Sequence, residues 1–254
     1  MSLDIERRLQ ALERFSRAPA RPQGQPLVAP FLSLPRLRGL WCAANVDDNT
    51  DLRDYTGQGR TLSDNGSPGF GVYNSVTPYF GLVTASSQYY SRADEAGLDL
   101  TNSHTVGLWV YPNTLGASTS AFLAKHDGST NAGSNFLLDW NVGVASNLSY
   151  GVFSGASAYR ASSTSIATGG WYFLVGRYEA STSVSLHING TWTTNTTSIP
   201  ASLNNNANVF EVGGIAGANF LLAANVSVIF LCAAAISDAA VSQVYQQTRG
   251  WFGV

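Results

Sequence analysis

Between Trp171 and Tyr178 the chain reads WYFLVGRY, a run rich in aromatic and β-branched residues that suits a pleated, half-buried surface. Ala180-Ser181-Thr182 supplies a short polar turn, and Val184, Leu186 and Ile188 then alternate with Ser183, Ser185 and His187. That period of two predicts a second strand with one apolar face. Asn189-Gly190 predicts another reversal, because the pair tolerates the positive φ angles of a tight hairpin turn. Val106–Pro112, Ala121–Lys125, Phe136–Trp140, Leu148–Phe153, Val209–Val212 and Val226–Leu231 read as further strands between Gly, Asn and Ser turns. Many short strands at short spacing predict an antiparallel β-sandwich of the jelly-roll kind. Near the end, Ser237 is placed to cap a short helix with Val241, Val244, Tyr245 and Thr248 on one face.

The first forty residues follow a different pattern. Ile5, Leu9 and Leu12 form one apolar stripe in a helix candidate over residues 2–17, which at roughly two heptads is too short to be stable alone. It is expected to associate with copies of itself, with a host assembly, or with its own domain. Five prolines between Ala18 and Arg38 predict an extended linker. The expected organisation is therefore a helix and anchoring arm over residues 1–39 and a sandwich over residues 40–254.

The length of 254 residues suffices for one large all-β domain. Charged residues make up only 12%, about half the usual ~25%, so uncharged polar groups must wet the surface. The net charge of −2 hides an asymmetry. Residues 1–40 hold seven Arg and three acids, while the remainder holds seven basic and thirteen acidic residues. Such a dilute basic arm points to a protein surface rather than nucleic acid. The first residues, MSLDIERR, lack the apolar core of a secretory signal, and no run reaches the ~18–20 apolar residues of a membrane helix. The two cysteines, Cys42 and Cys232, are expected to be buried free thiols, with a disulfide between first and last strands as the alternative.

The order of several motifs resembles the laminin G-like branch of the concanavalin A-like lectin and glucanase superfamily. These are the turn Asp54-Tyr55-Thr56-Gly57-Gln58-Gly59, the Ser86-Ser87-Gln88-Tyr89-Tyr90 segment, Trp109-Val110-Tyr111-Pro112, and the Gly170-Trp171-Tyr172 to Asn189-Gly190 hairpin. The resemblance runs from about Leu40 to Val244 and implies a concanavalin A-like sandwich that binds rather than catalyses. Calcium is the cofactor that the resemblance implies, held by loop oxygens such as those of Asp47, Asp48, Asp51 and Asp54. Ala224-Asn225-Val226 stands where the family often has Ile-Asp-Glu, so no metal and no other cofactor is expected.

Glucanases of the superfamily carry glutamates on alternate positions of one strand. Glu95, Glu179 and Glu211 have no such neighbour, and His104, His126 and His187 lack metal-ligand spacing. No catalytic residue is expected, and His187 is expected to be a solvated strand residue. Tyr159, in a Gly-Ala-Ser-Ala-Tyr-Arg loop, and Trp192, after the Asn-Gly turn, are the candidates for stacking on a sugar. The alternative for each is a cap on the core. Together these features lead to the expectation of a non-enzymatic structural or adhesion protein on the surface of a bacteriophage virion, as capsid decoration or tail fibre. Its arm would dock on other virion proteins, its stripe of Ile5, Leu9 and Leu12 would drive oligomerisation, with a trimer favoured, and glycans would be its external ligands. A bacterial carbohydrate-binding adhesion module is the alternative.

Overall fold

The computed structural model describes residues 25–43, 52–115, 119–142, 146–164 and 166–254. The predicted strand pair forms as β11 (Tyr172–Glu179) and β12 (Ser183–Ile188), antiparallel, with Val175 opposite His187. Ser181, Asn189 and Gly190 all take positive φ in the two turns that follow these strands. They belong to an eight-stranded sheet in the order β13 (Thr191–Asn195), β12, β11, β6 (His104–Pro112), β15 (Ala224–Cys232), β4 (Thr77–Leu82) and β3 (Gly69–Tyr73). The remaining strand, β1 (Leu37–Cys42), pairs with the C-terminal half of β15, whose N-terminal half pairs with β4. The second sheet has seven strands in the order β10 (Ser157–Ser163), β9 (Leu148–Ser154), β8 (Phe136–Trp140), β7 (Ser120–Lys125), β14 (Phe210–Val212), β5 (Tyr89–Arg92) and β2 (Ser63–Asn65). Every ladder between these strands is antiparallel, and the two sheets form the antiparallel jelly-roll sandwich that the sequence predicts.

Alternation puts Val184, Leu186, Val106, Leu108, Ile229 and Leu231 between the sheets, against Phe136, Leu138, Tyr150 and Phe210 of the facing sheet. Gly176 has no side chain because the Tyr150 ring occupies the place a Cβ would need. The opposite face of the eight-stranded sheet is covered as well. Trp109, Phe173 and Phe230 meet Leu27, Val28, Phe31 and Leu34 from one side and Val241, Val244, Tyr245 and Phe252 from the other. The last four belong to α2 (Asp238–Phe252), capped by Ser237, whose side chain accepts from the Ala240 amide, and ended by Gly253 at φ 72°.

This second layer changes two expectations. Residues 25–38 do not run as an extended linker: α1 (Gln25–Val28) passes into a 3-10 turn at Ala29–Phe31, and β1 starts at Leu37. Pro30 fits the first turn of that helix, where a missing amide hydrogen bond costs nothing. His187 is not solvated either: it is only 1% exposed, beneath Trp192 and Tyr245. Ile5, Leu9 and Leu12 lie outside the described residues.

Candidate functional site

A ligand could be received at the outer face of the seven-stranded sheet, at the two singled-out aromatics, at the loop end of the sandwich, or in a cleft of 420 Å³ lined by Ser63, Ser91, Arg92, Asp94, Glu95 and Val209, where Arg92 is already paired with Glu95. On the outer face, side chains of alternating position line up across β10, β9, β8, β7 and β14. Phe153, Leu137, Ala121 and Ala124 form an apolar patch there, covered by Ile215 with Val142 and Phe220 at its margin. The chain's own loops close it. The Gly128 backbone approaches Ala216 and Ile215 so nearly that an added Cβ would lie 3.1 Å from the Ala216 Cβ. Phe153 is held by the His126 ring, 5.0 Å away, and by the Arg160 guanidinium at 5.4 Å.

The two carboxylates on that face are both engaged. Asp139, fully buried, accepts from the Ser149 hydroxyl at 2.9 and 3.0 Å, from Arg160 at 2.8 Å and from the Val142 amide at 3.1 Å. Glu211, 2% exposed, accepts from the Gly217 amide at 2.8 Å through Oε1, while Oε2 has no hydrogen-bond partner. Burial pushes its pKa above the ordinary value of 4.5. Glu211 lies opposite Ala124, and Ala124 opposite Leu137, so Asp139 sits two strands across and two residues along. Strand spacing makes that about 12 Å between backbones, and Asp139 is already committed to Ser149, Arg160 and the Val142 amide, so the two do not stand as a free carboxylate pair.

The sequence-selected aromatics occupy different faces. Tyr159 lies not in a loop but on the edge strand β10, opposite Val152, half-buried against the inter-sheet core. Trp192 lies on β13, the edge of the other sheet, half-buried on its helix-covered face. The Arg177 guanidinium rests 4.3 Å from the Trp192 ring centre, and the His187 ring meets it edge-on at 4.9 Å. The structure does not bring the two together.

The histidines are structural in their contacts. His104, between the sheets, binds the Tyr150 hydroxyl at 2.5 Å and the Asn102 carbonyl at 3.0 Å. Burial lowers the pKa of His104, His126 and His187 to about 4. Among the described residues no group of three or more His, Cys, Asp or Glu is placed to hold a metal ion. Asp54 is spent on its own turn, accepting from the Thr56 amide and hydroxyl and the Arg60 amide, and Asp47, Asp48 and Asp51 lie outside the described residues.

At one end of the sandwich lies an open cleft of 460 Å³, lined among the described residues by Thr84, Thr114, Thr119, Ser120, Asn219 and Phe220. Its walls are fixed by the backbone. Asn113 and Thr114 amides donate to the Ala223 carbonyl, the Ala121 amide to Phe220, and Leu222 to Gly213. Glu211 Oε1 holds the loop from beneath through Gly217. Gly213, Ala216, Gly217 and Phe220 all have positive φ, and for a bulky residue such as Phe220, at φ 50°, the left-handed region costs about 1–3 kcal/mol. No other described side chain hydrogen-bonds the hydroxyls of Thr84, Thr114, Thr119 or Ser120. None of these residues stood out in the sequence, because they come from separate polar turns with no spacing in common.

Solved structures share this architecture. The binding domain of botulinum neurotoxin DC in complex with SialylT superposes with a TM-score of 0.63 at 10% identity, over 84% of this chain and 52% of that one. The binding domain of Paraclostridial mosquitocidal protein 1 gives 0.65 at 10% identity, over 83% of this chain and 52% of that one. The botulinum neurotoxin serotype G binding domain gives 0.64 at 9% identity, over 83% and 50%. The chain thus spans about half the length of each. No curated protein sequence matches it. A family model covering residues 84–225, more than half of the chain, matches in sequence, and with the sandwich described above it shows that the protein belongs to the concanavalin A-like lectin/glucanases superfamily.

Proposed function

We propose that the protein is a non-catalytic carbohydrate-binding module displayed on a surface, with the cleft at the loop end of the sandwich as its binding site. The observation that carries this reading is the set of four hydroxyls beside Phe220, engaged by no other described side chain, in a cleft whose described walls are tied by backbone hydrogen bonds. Sugars are recognised by such combinations of polar edges and an apolar ring face. Structures of similar fold lend support: one neurotoxin domain was solved with SialylT, and cell entry of another depends on two ganglioside molecules. The commitment of Asp139 to Ser149 and Arg160 favours binding over glycoside cleavage. A glycan array probed with the full chain tests the reading: selective retention supports it, and no retention contradicts it.

The display surface we propose is a phage virion, with residues 1–24 docking on other virion proteins and mediating a small oligomer, a trimer in the favoured form. The support is a charge contrast: residues 1–24 hold five Arg and three acids, and residues 25–254 hold nine basic and thirteen acidic residues. Light scattering of the full chain against one starting at Gln25 tests the oligomer, and detection in purified particles tests the location. A cut at Gly39 would be uninformative, because it removes Leu27, Val28, Phe31 and Leu34 from the outer core.

A further inference from the structure

We propose that Lys125 is joined to Asp99 by an amide bond that the folded chain forms by itself, with Asp94 carrying the proton. The first ground is where the chain uses lysine. It holds thirteen arginines and a single lysine, Lys125. That lysine ends β7, and its side chain is only 1% exposed. Its Nζ donates to Asp94 Oδ1 at 2.7 Å and to Asp99 Oδ1. Elsewhere among the described residues the cation that meets a carboxylate is arginine: Arg60 and Arg92 with Glu95, Arg160 with Asp139, and Arg177 with Asp238. A guanidinium does not give up its proton, whereas a lysine amine taken out of water does, and is then a nucleophile. An ion pair would be served as well by arginine; a reaction at the nitrogen requires lysine.

The second ground is placement. Asp94 follows β5 and Asp99 follows the 3-10 turn Ala96–Leu98, so one short segment offers both carboxylates to the same amine. A hydrogen bond from Nζ to a carboxylate oxygen holds the nitrogen about 3–3.5 Å from the carboxyl carbon, the separation of a near-attack geometry. Asp99 has the more buried side chain, 20% exposed against 31%, and is the acyl partner. Asp94 lines the open cleft of 420 Å³, within reach of water. In the reaction Asp94 takes a proton from the ammonium, the freed electron pair forms a bond to Asp99 Cγ, and one Cγ–O bond breaks. The departing oxygen leaves through the cleft as water with two of the three ammonium protons, one of them returned by Asp94. The nitrogen keeps the third proton, Asp94 ends as the carboxylate it began as, and no oxidant, reductant or co-reactant is consumed. Two opposite charges become one neutral amide, which removes the desolvation cost of a buried ammonium. Groups held together by a fold react as though at ~10⁵–10⁸ M, which drives condensation against the surrounding water.

The intact mass of the full chain, aged to constant mass at pH 7 and then denatured and reduced, tests the proposal. One water fewer than the sequence requires is expected. Lysyl endopeptidase should leave the denatured chain uncut, because its single cleavage point is acylated. Trypsin should release residues 93–160 as one fragment, one water light, whose fragmentation places the link between Asp99 and Lys125. Asp99→Ala and Asp94→Ala should each restore the full mass and the cut after Lys125. The natural chain alone decides the matter if either variant fails to fold. Full mass with cleavage after Lys125, or a link at a residue other than Asp99, overturns the proposal. Cross-linking of Asp94→Ala to the same extent as the natural chain overturns the part given to Asp94.

Discussion

Trp109, on the central strand β6, and Phe252, in the last turn of α2, stack face to face with ring centroids 4.0 Å apart and planes 9° from parallel. The Trp109 indole also donates to Thr248, one turn earlier, at 3.1 Å. The C-terminal helix is thus a second core layer that seals the eight-stranded sheet. Phe252→Ala should destabilise the fold by about 3–5 kcal/mol, the range for a fully buried aromatic, as read from the urea midpoint at unchanged slope.

The opposite side of the same layer makes a separate prediction. Phe31 lies 5.3 Å from Phe230 and 6.3 Å from Phe173, between ring centroids. A chain starting at Gln25 keeps these contacts. One starting at Gly39 exposes Phe173 and Phe230 and should lose several kcal/mol, since each buried Leu, Val or Phe contributes about 1.5–3 kcal/mol. Circular dichroism during denaturation measures the loss.

His104 sets an acid limit. Its pKa is lowered from 6.5 to about 4 by burial, so the unfolded chain binds more protons between these values. Stability is then full above pH 6.5 and falls as the pH drops toward 4, by an amount on the order of 3 kcal/mol for this residue. His126 and His187, lowered for the same first reason, add in the same direction. Urea midpoints at pH 7.5 and 4.5 should show the loss; equal midpoints would contradict it.

Glu211 acts in the opposite sense. Its folded-state pKa is raised by burial, so the stability it provides is present below 4.5 and lost as the pH rises through the folded value. Glu211→Gln, which keeps an acceptor for Gly217, should therefore gain on the natural protein as the pH increases, with the difference vanishing near pH 4. Thermal midpoints of the two proteins across that range measure the gain.

The thiols should be silent in the native state. Cys42 lies opposite Val228 and Cys232 opposite Leu37, so the two occupy opposite ends of the β1–β15 ladder, about 14 Å apart at strand spacing. That is too far for a disulfide. Burial raises both thiols, Cys232 to about 12. A thiol reagent should label neither cysteine in the folded protein and both in denaturant without reductant.

The sandwich was legible because its central strands alternate strongly. Phe136–Trp140 is predicted and observed with the same bounds, and Ser237 caps the last helix as its sequence indicates. What escaped was weakly patterned or covered from a distance. Residues 157–163, SAYRASS, form an edge strand in which Tyr159 is the one large apolar side chain among Ser and Ala, so Tyr159 read as a loop residue. His187 read as solvated because alternation along one strand cannot reveal that α2 and Trp192 cover its outer face. Phe220 carries no sequence signal, since neither its left-handed backbone nor the meeting of residues 84, 114, 119 and 120 beside it leaves a trace in local sequence.

The central claim is that ligand is received at the loop end of the sandwich and not on the outer face of the seven-stranded sheet. Mapping amide chemical-shift changes on the labelled full chain, with a glycan that binds it, tests this most directly. The account predicts changes concentrated at Thr84, Thr114, Thr119, Ser120 and residues 218–223. Changes centred on Phe153, Asp139 and Arg160, or on Tyr159 or Trp192, with the end cleft unmoved, would contradict it.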